Sequence, residues 1–309
     1  MRANGETPLP APVVHESGKD IQLPSRDSNR KIPCRVFEPE KGQSKGIFYH
    51  IHGGGWVLQN ESAQDTLLKY LADHTELTVV SVGYRLAPEH PYPAGNEDCF
   101  DVADYLVDNG EKDFGGKVLV MGGESAGGHL TAVTFYNLLE SRPDFRFKAL
   151  VLNYGCFDIS SFLPQAHHFP SGLVLDLEIM QQFQKAYVPD TKESDRRDPK
   201  ISPLFKDLNA LGEKGLLVPA LFTCGTLDPL LDDSVLMSTK WMIGSGGDAI
   251  LKIYPVSLTG KRVASSRDPR DACLRHLLTF CPSFFGGSTS WLHTVSTECR
   301  HGDRAAGAR

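Results

Sequence analysis

Gly123-Glu124-Ser125-Ala126-Gly127 sets a serine hydroxyl among small residues. The run Lys117–Met121 before it reads as a strand, and Ala126–Glu140 after it as a helix. A serine on so sharp a strand-to-helix turn stands clear of the sheet, where it can attack a carbonyl carbon. The helix starting there turns its positive end toward developing negative charge. A second run, His52-Gly53-Gly54-Gly55-Trp56, follows the short apolar stretch Gly46–Ile51. Consecutive glycines let backbone N–H groups approach a substrate oxygen, which is what an oxyanion hole requires. The expected donors are Gly53 and Gly54, joined by the N–H of Ala126. Neither glycine pattern of a phosphate-binding loop is present. His52 reads as a loop residue, since it precedes the nucleophile on the strand that supplies the oxyanion loop.

These groups need a scaffold, and the hydrophobic pattern supplies one. Two extended stretches, near Ile21 and at Ile32–Phe37, flank the turn-rich Ser25–Asn29 and predict a hairpin. Strands and helices then alternate. Thr78–Val82 reads as a strand, Asn96–Val107 as a helix, and Ala149–Leu152 and Leu216–Thr223 as buried strands. A helix near Asp232–Ile243 and a last strand, Ala249–Tyr254, follow. Strands apolar on both faces, separated by helices, predict a mostly parallel sheet covered on both sides. Asp228 follows the strand Leu216–Thr223, at the end where sites of open parallel sheets gather. Asp232 and Asp233 read as solvated residues at a helix start. The stretch from Cys156 to Leu211 breaks the rhythm and reads as a helical insertion over the strand ends. Its apolar residues, among them Phe157, Phe162 and Phe183, could face an uncharged substrate or form the insertion's own core.

Together these motifs resemble the hormone-sensitive-lipase-like branch of the α/β-hydrolases, marked by H-G-G-G followed by G-[DE]-S-A-G-G. Tyr84-Arg85-Leu86-Ala87-Pro88-Glu89, Pro91-Tyr92-Pro93-Ala94 and Asp228-Pro229-Leu230 also match that branch. The likeness covers roughly residues 20 to 255. It implies an α/β-hydrolase fold with a helical cap, the domain running through residue 255 and the cap over about 156–211. It further implies a serine carboxylesterase acting on small, uncharged esters through an acyl-serine, with no metal or organic cofactor. Ser125 would be the nucleophile and Asp228 the acid that orients a histidine.

That histidine is where the pattern fails. The family places it after the last strand, in a Y-P-G-x-x-H type stretch. Here Ile253-Tyr254-Pro255 continues as Val256-Ser257-Leu258-Thr259-Gly260, and the next histidine is His276. His276 sits in the helix-like Asp271–Phe280 among Leu274, Leu277 and Leu278, where packing competes with catalysis. His129 falls one turn along the nucleophile helix, and His167 and His168 fall on the cap. Residues 256–309 also change composition, with eight Lys+Arg against four Asp+Glu in a chain whose net charge is −6. Val-Ser can be encoded by the usual opening of an intron, so an unspliced intron or a misplaced exon boundary would explain the tail. Within the same branch, gibberellin receptors lack the histidine and bind without turnover. A non-catalytic binding or regulatory role is therefore the alternative reading.

Bulk properties agree with an ordinary folded globular protein: 309 residues, 40% hydrophobic and 23% charged. The negative balance gives no reason to expect nucleic acid, and no apolar run is long enough to span a bilayer. Seven scattered cysteines form no framework and predict a reducing, cytoplasmic setting.

Overall fold

The computed structural model describes residues 13–168 and 175–255. Eight strands form one sheet: β1 (Lys19–Pro24), β2 (Lys31–Phe37), β3 (Ile47–Ile51), β4 (Thr78–Val82), β5 (Val118–Glu124), β6 (Ala149–Asn153), β7 (Ala220–Gly225) and β8 (Ala249–Tyr254). Their spatial order is β1-β2-β4-β3-β5-β6-β7-β8. The first two pairings, β1 with β2 and β2 with β4, are antiparallel, and the rest are parallel. The expected hairpin and parallel sheet are both present.

Among the described residues, helices cover the two faces unequally. α1 (Asp65–Thr75) packs Leu68, Leu71 and Ala72 against Phe48, Val79 and Val120. α2 (Ala94–Phe114), α3 (Ala126–Ser141) and α8 (Leu231–Ser245) lie on the other face, with Val102, Leu130 and Trp241 in the larger core. Between β6 and β7 run α4 (Pro164–His168), α5 (Leu177–Tyr187), α6 (Glu193–Arg196), a 3-10 turn at Pro203–Phe205, and α7 (Leu208–Glu213). This is the expected helical insertion. Phe157 and Phe162 are buried in the main core, so those two aromatics serve packing.

Three boundaries differ from expectation. α2 runs on to Phe114, because Gly110 nestles against Ile47 where a larger residue would not fit, and Gly115 (φ 78°) caps the helix. β5 continues through Gly122 and Gly123 to Glu124. β7 starts only at Ala220, after Pro219, which has no N–H to offer a ladder. Among the described residues no helix is long and apolar enough to cross a membrane.

Candidate active site

The C-terminal ends of β3, β5 and β7 all open on one edge of the sheet, and each carries one expected motif. Ser125 follows β5 with φ 54° and ψ −120°, a conformation costly for a side chain. The turn is held because the Ser125 N–H donates to the Asn153 carbonyl at 3.0 Å. The flanking glycines are required by contact. A Cβ on Gly123 would lie 2.6 Å from the Gly127 carbonyl oxygen, and one on Gly127 would collide with the Ile51 carbonyl. Elbow and oxyanion loop are therefore packed backbone to backbone. Ser125 stays half-buried while every neighbour from Met121 to Leu130 is buried.

The oxyanion loop corrects one expectation. Gly53 does not face the site with a free N–H, because that group donates to Glu124 Oε1 at 2.7 Å. Gly54 (φ 108°) and Gly55 (φ 61°) carry the turn onward, and Gly54 O accepts from the N–H groups of Val57 and Leu58. Gly54 and Gly55 follow Gly53 in the loop, and Ala126 stands at the start of α3. Gly55 lies directly under the ring of Phe183 on α5, so the cap reaches the oxyanion loop.

Below the loop, His52 stacks on Tyr84 (centroids 4.2 Å apart) and its Nδ1 lies 2.8 Å from Gly53 O. Burial lowers its pKa to about 4. It is a neutral structural residue, as expected. Tyr84 OH donates to His52 O at 2.9 Å, and Ala87 N–H donates to Trp56 O at 2.9 Å. The Tyr84–Glu89 segment thus braces the loop from beneath. Its own anchor is Asp98, which takes Arg85 N–H at 2.9 Å and pairs with the guanidinium groups of Arg85 and Arg30.

His129 ties three elements together. Its Nδ1 accepts from Trp56 Nε1 at 3.2 Å, and its Nε2 lies 2.8 Å from Ile201 O in the insertion. Trp56 in turn stacks flat on Tyr187 of α5 (4.7 Å, 9°). Burial lowers the His129 pKa to about 4, so the ring is neutral, with Nε2–H donating to the carbonyl. His167 and His168 are exposed and bond to Ser161 O and Pro164 O.

Asp228 is fully buried in the turn between β7 and α8, and its Oδ1 accepts from Leu230 N–H at 2.9 Å. β8 delivers the chain beside that turn, since Thr226 N–H donates to Tyr254 O at 2.9 Å. Asp233 departs from expectation. It is buried, not solvated, and Oδ1 accepts from the N–H groups of Phe157 (2.6 Å) and Asp158 (2.8 Å). The insertion folds back onto α8 and covers it, which adjacency to Asp232 in sequence could not disclose. His276 and the rest of 256–309 lie outside the described residues. Among the described residues no cluster of His, Cys, Asp or Glu is placed to hold a metal.

Two groups were missed from sequence, His50 and the carboxylate of Glu124. The signal was a lone histidine inside the apolar run Ile47–Ile51.

The sheet order, the strained serine turn and the glycine loop beside it define a serine-hydrolase scaffold. The chain belongs to the α/β-hydrolase fold family, whose model matches residues 48–257, and to its hormone-sensitive-lipase-like branch. It is similar to the carboxylic ester hydrolase LipN of Mycobacterium tuberculosis, 31% identical over 84% of this chain and 67% of that protein. It is also similar to an arylesterase of Saccharolobus solfataricus, 31% identical over 76% of this chain and 73% of that one. Among solved structures, an esterase of Pyrobaculum calidifontis superposes with a TM-score of 0.71 at 31% identity, covering 81% and 79% of the two chains.

Proposed function

We propose that this chain carries the nucleophile, oxyanion hole and acid of a carboxylesterase, in one hydrolase unit through residue 255 capped by residues 156–211. Ser125 attacks the carbonyl carbon of a small, uncharged ester. Gly54, Gly55 and Ala126 hold the developing oxyanion, and the alcohol leaves an acyl-serine that water then hydrolyses. The observation that carries this is Ser125 at φ 54° at the start of α3, in a turn whose neighbours Glu124 and Gly127 pack backbone to backbone against Gly53 and His52 of the glycine loop. The esterase names of the relatives agree with it. The four described cysteines are buried thiols, which fits a reducing cytoplasm.

The proton carrier is the weak point, because Val256–Gly260 has no histidine where the family keeps one. Without it, turnover falls by about 10⁶, leaving only slow, unassisted attack by Ser125 on an activated ester. The test is hydrolysis of p-nitrophenyl acetate by the full chain and by Ser125→Ala. Feeble hydrolysis that Ser125→Ala removes is the expected result. A rate constant of about 1–10³ s⁻¹ would mean a base is present after all. The missing histidine also favours a second reading, a binding module. That protein would saturate with ligand and leave Ser125 unlabelled by an activated organophosphate.

A further inference from the structure

His50 is the penultimate residue of β3, buried, on a strand flanked by β4 and β5. Its Nδ1 is 3.0 Å from Ser81 Oγ on β4, its partner in register, and its Nε2 is 3.0 Å from Glu124 Oε2 on β5. The other carboxylate oxygen, Glu124 Oε1, takes the Gly53 N–H at 2.7 Å. Ser81, His50 and Glu124 thus repeat the serine–histidine–carboxylate series of a hydrolytic triad. Ser81 is fully buried, however, so no acyl group can reach it. The series leads instead to the oxyanion loop.

We infer that His50 is a positioning residue for acyl transfer, acting through Glu124. A carboxylate left without a fixed partner at this depth would rotate toward water. His50 fixes one oxygen with Nε2–H, and the Ser81 hydroxyl, donating to Nδ1, fixes the ring and its tautomer. The second oxygen is then held where it captures Gly53 N–H. Capture of that amide orients the loop. Gly53 is drawn down onto β5, where a Cβ would lie 2.8 Å from Glu124 O, and the next two peptides turn outward at positive φ. Gly54 and Gly55 face the carbonyl of the substrate because Gly53 is held away from it. Glu124, directly before Ser125, makes the nucleophile and its oxyanion donors one rigid piece.

The kinetic part of this inference rests on the esterase reading, so the test needs a second measurement that does not. His50→Leu removes both bonds, and His50→Gln places an amide at the reach of Nε2. For each, Ser125-dependent hydrolysis of p-nitrophenyl acetate is followed together with amide hydrogen exchange of the His52–Trp56 segment. His50→Leu should lower kcat by about a hundredfold with KM little changed, because misplaced donors matter in the transition state. It should also speed exchange at Gly53. His50→Gln should restore most of both. A His50→Leu protein that keeps kcat and slow Gly53 exchange overturns the inference, as does one whose loss His50→Gln does not relieve. Should His50→Leu fail to fold, His50→Asn, too short to reach Glu124, replaces it. Should wild-type hydrolysis prove independent of Ser125, the esterase reading fails, and exchange at Gly53 alone decides the role of His50.

Discussion

Asp233 Oδ1 accepts the Phe157 N–H at 2.6 Å and so fastens the start of the insertion to the first turn of α8. Burial pushes the carboxyl well above its ordinary 3.8, against the pull of the two backbone N–H groups, with Asp158 and Asp232 adding to the rise. The native state therefore keeps a proton that the unfolded chain releases above pH 3.8. Stability from this group is complete below that pH and is lost as pH rises toward the native pKa. Asp233→Asn should melt higher than wild type at pH 7 to 8, the gap closing near pH 4. Asp233→Ala leaves two buried N–H groups unpaired and should cost about 1–3 kcal/mol for each. Chemical denaturation across pH checks both.

The buried imidazoles act in the opposite direction. His52 and His129 are neutral in the fold with pKa values lowered from 6.5 to about 4. Their contribution is present above 6.5 and lost as pH falls through about 4, as the unfolded chain takes up protons first. At full extent this is about 3 kcal/mol for each ring. His129→Gln should flatten the acid limb of the stability curve by one ring's share. An unchanged acid limb would show that His129 is charged in the fold.

Gly127→Ala tests the backbone contact between elbow and oxyanion loop. Its Cβ would meet the Ile51 carbonyl and lie 2.7 Å from that of His52, neither of which can rotate away. A loss of about 3 kcal/mol is expected in urea melts. Gly42, with nothing within 4 Å of a Cβ, is the comparison, although its positive φ of 81° costs something by itself.

Installing a family-type histidine after β8 tests the whole site. Residues 256–309 are replaced by a glycine, a His-Gly-Phe a few residues on, and an amphipathic helix. Tyr254 already lies beside the acid turn, bonded to Thr226, so a histidine a few residues on comes within reach of Asp228. Hydrolysis of short acyl esters should rise by several orders of magnitude and vanish with Ser125→Ala. Asp228→Asn should then lower it by about 10⁴ with the fold intact. A soluble, folded but inert repair would leave the binding reading in place.

The strands and the serine turn could be read in the sequence because their signals are local. Apolar runs bounded by glycine and proline mark β3, β5 and β7, and the short-residue motif marks Ser125. Gly53 could not be separated from Gly54 and Gly55, since which N–H turns inward depends on a carboxylate 71 residues away. The burial of Asp233 is hidden for the same reason: its partners, Phe157 and Asp158, come from the other end of the insertion. The polar last turns of α2 carry no apolar stripe, so its sequence signal ends well before Phe114.

The flat contact between Trp56 and Tyr187 has an optical consequence. The indole is pressed on a phenol from the cap and hydrogen-bonded to His129, while Trp241 is sealed in the core. Any ligand that lifts α5 from the oxyanion loop must unstack that indole and break its bond, and one that seats the cap more firmly must leave both in place. The protein therefore carries its own fluorescent gauge of cap position, readable without a dye and without turnover.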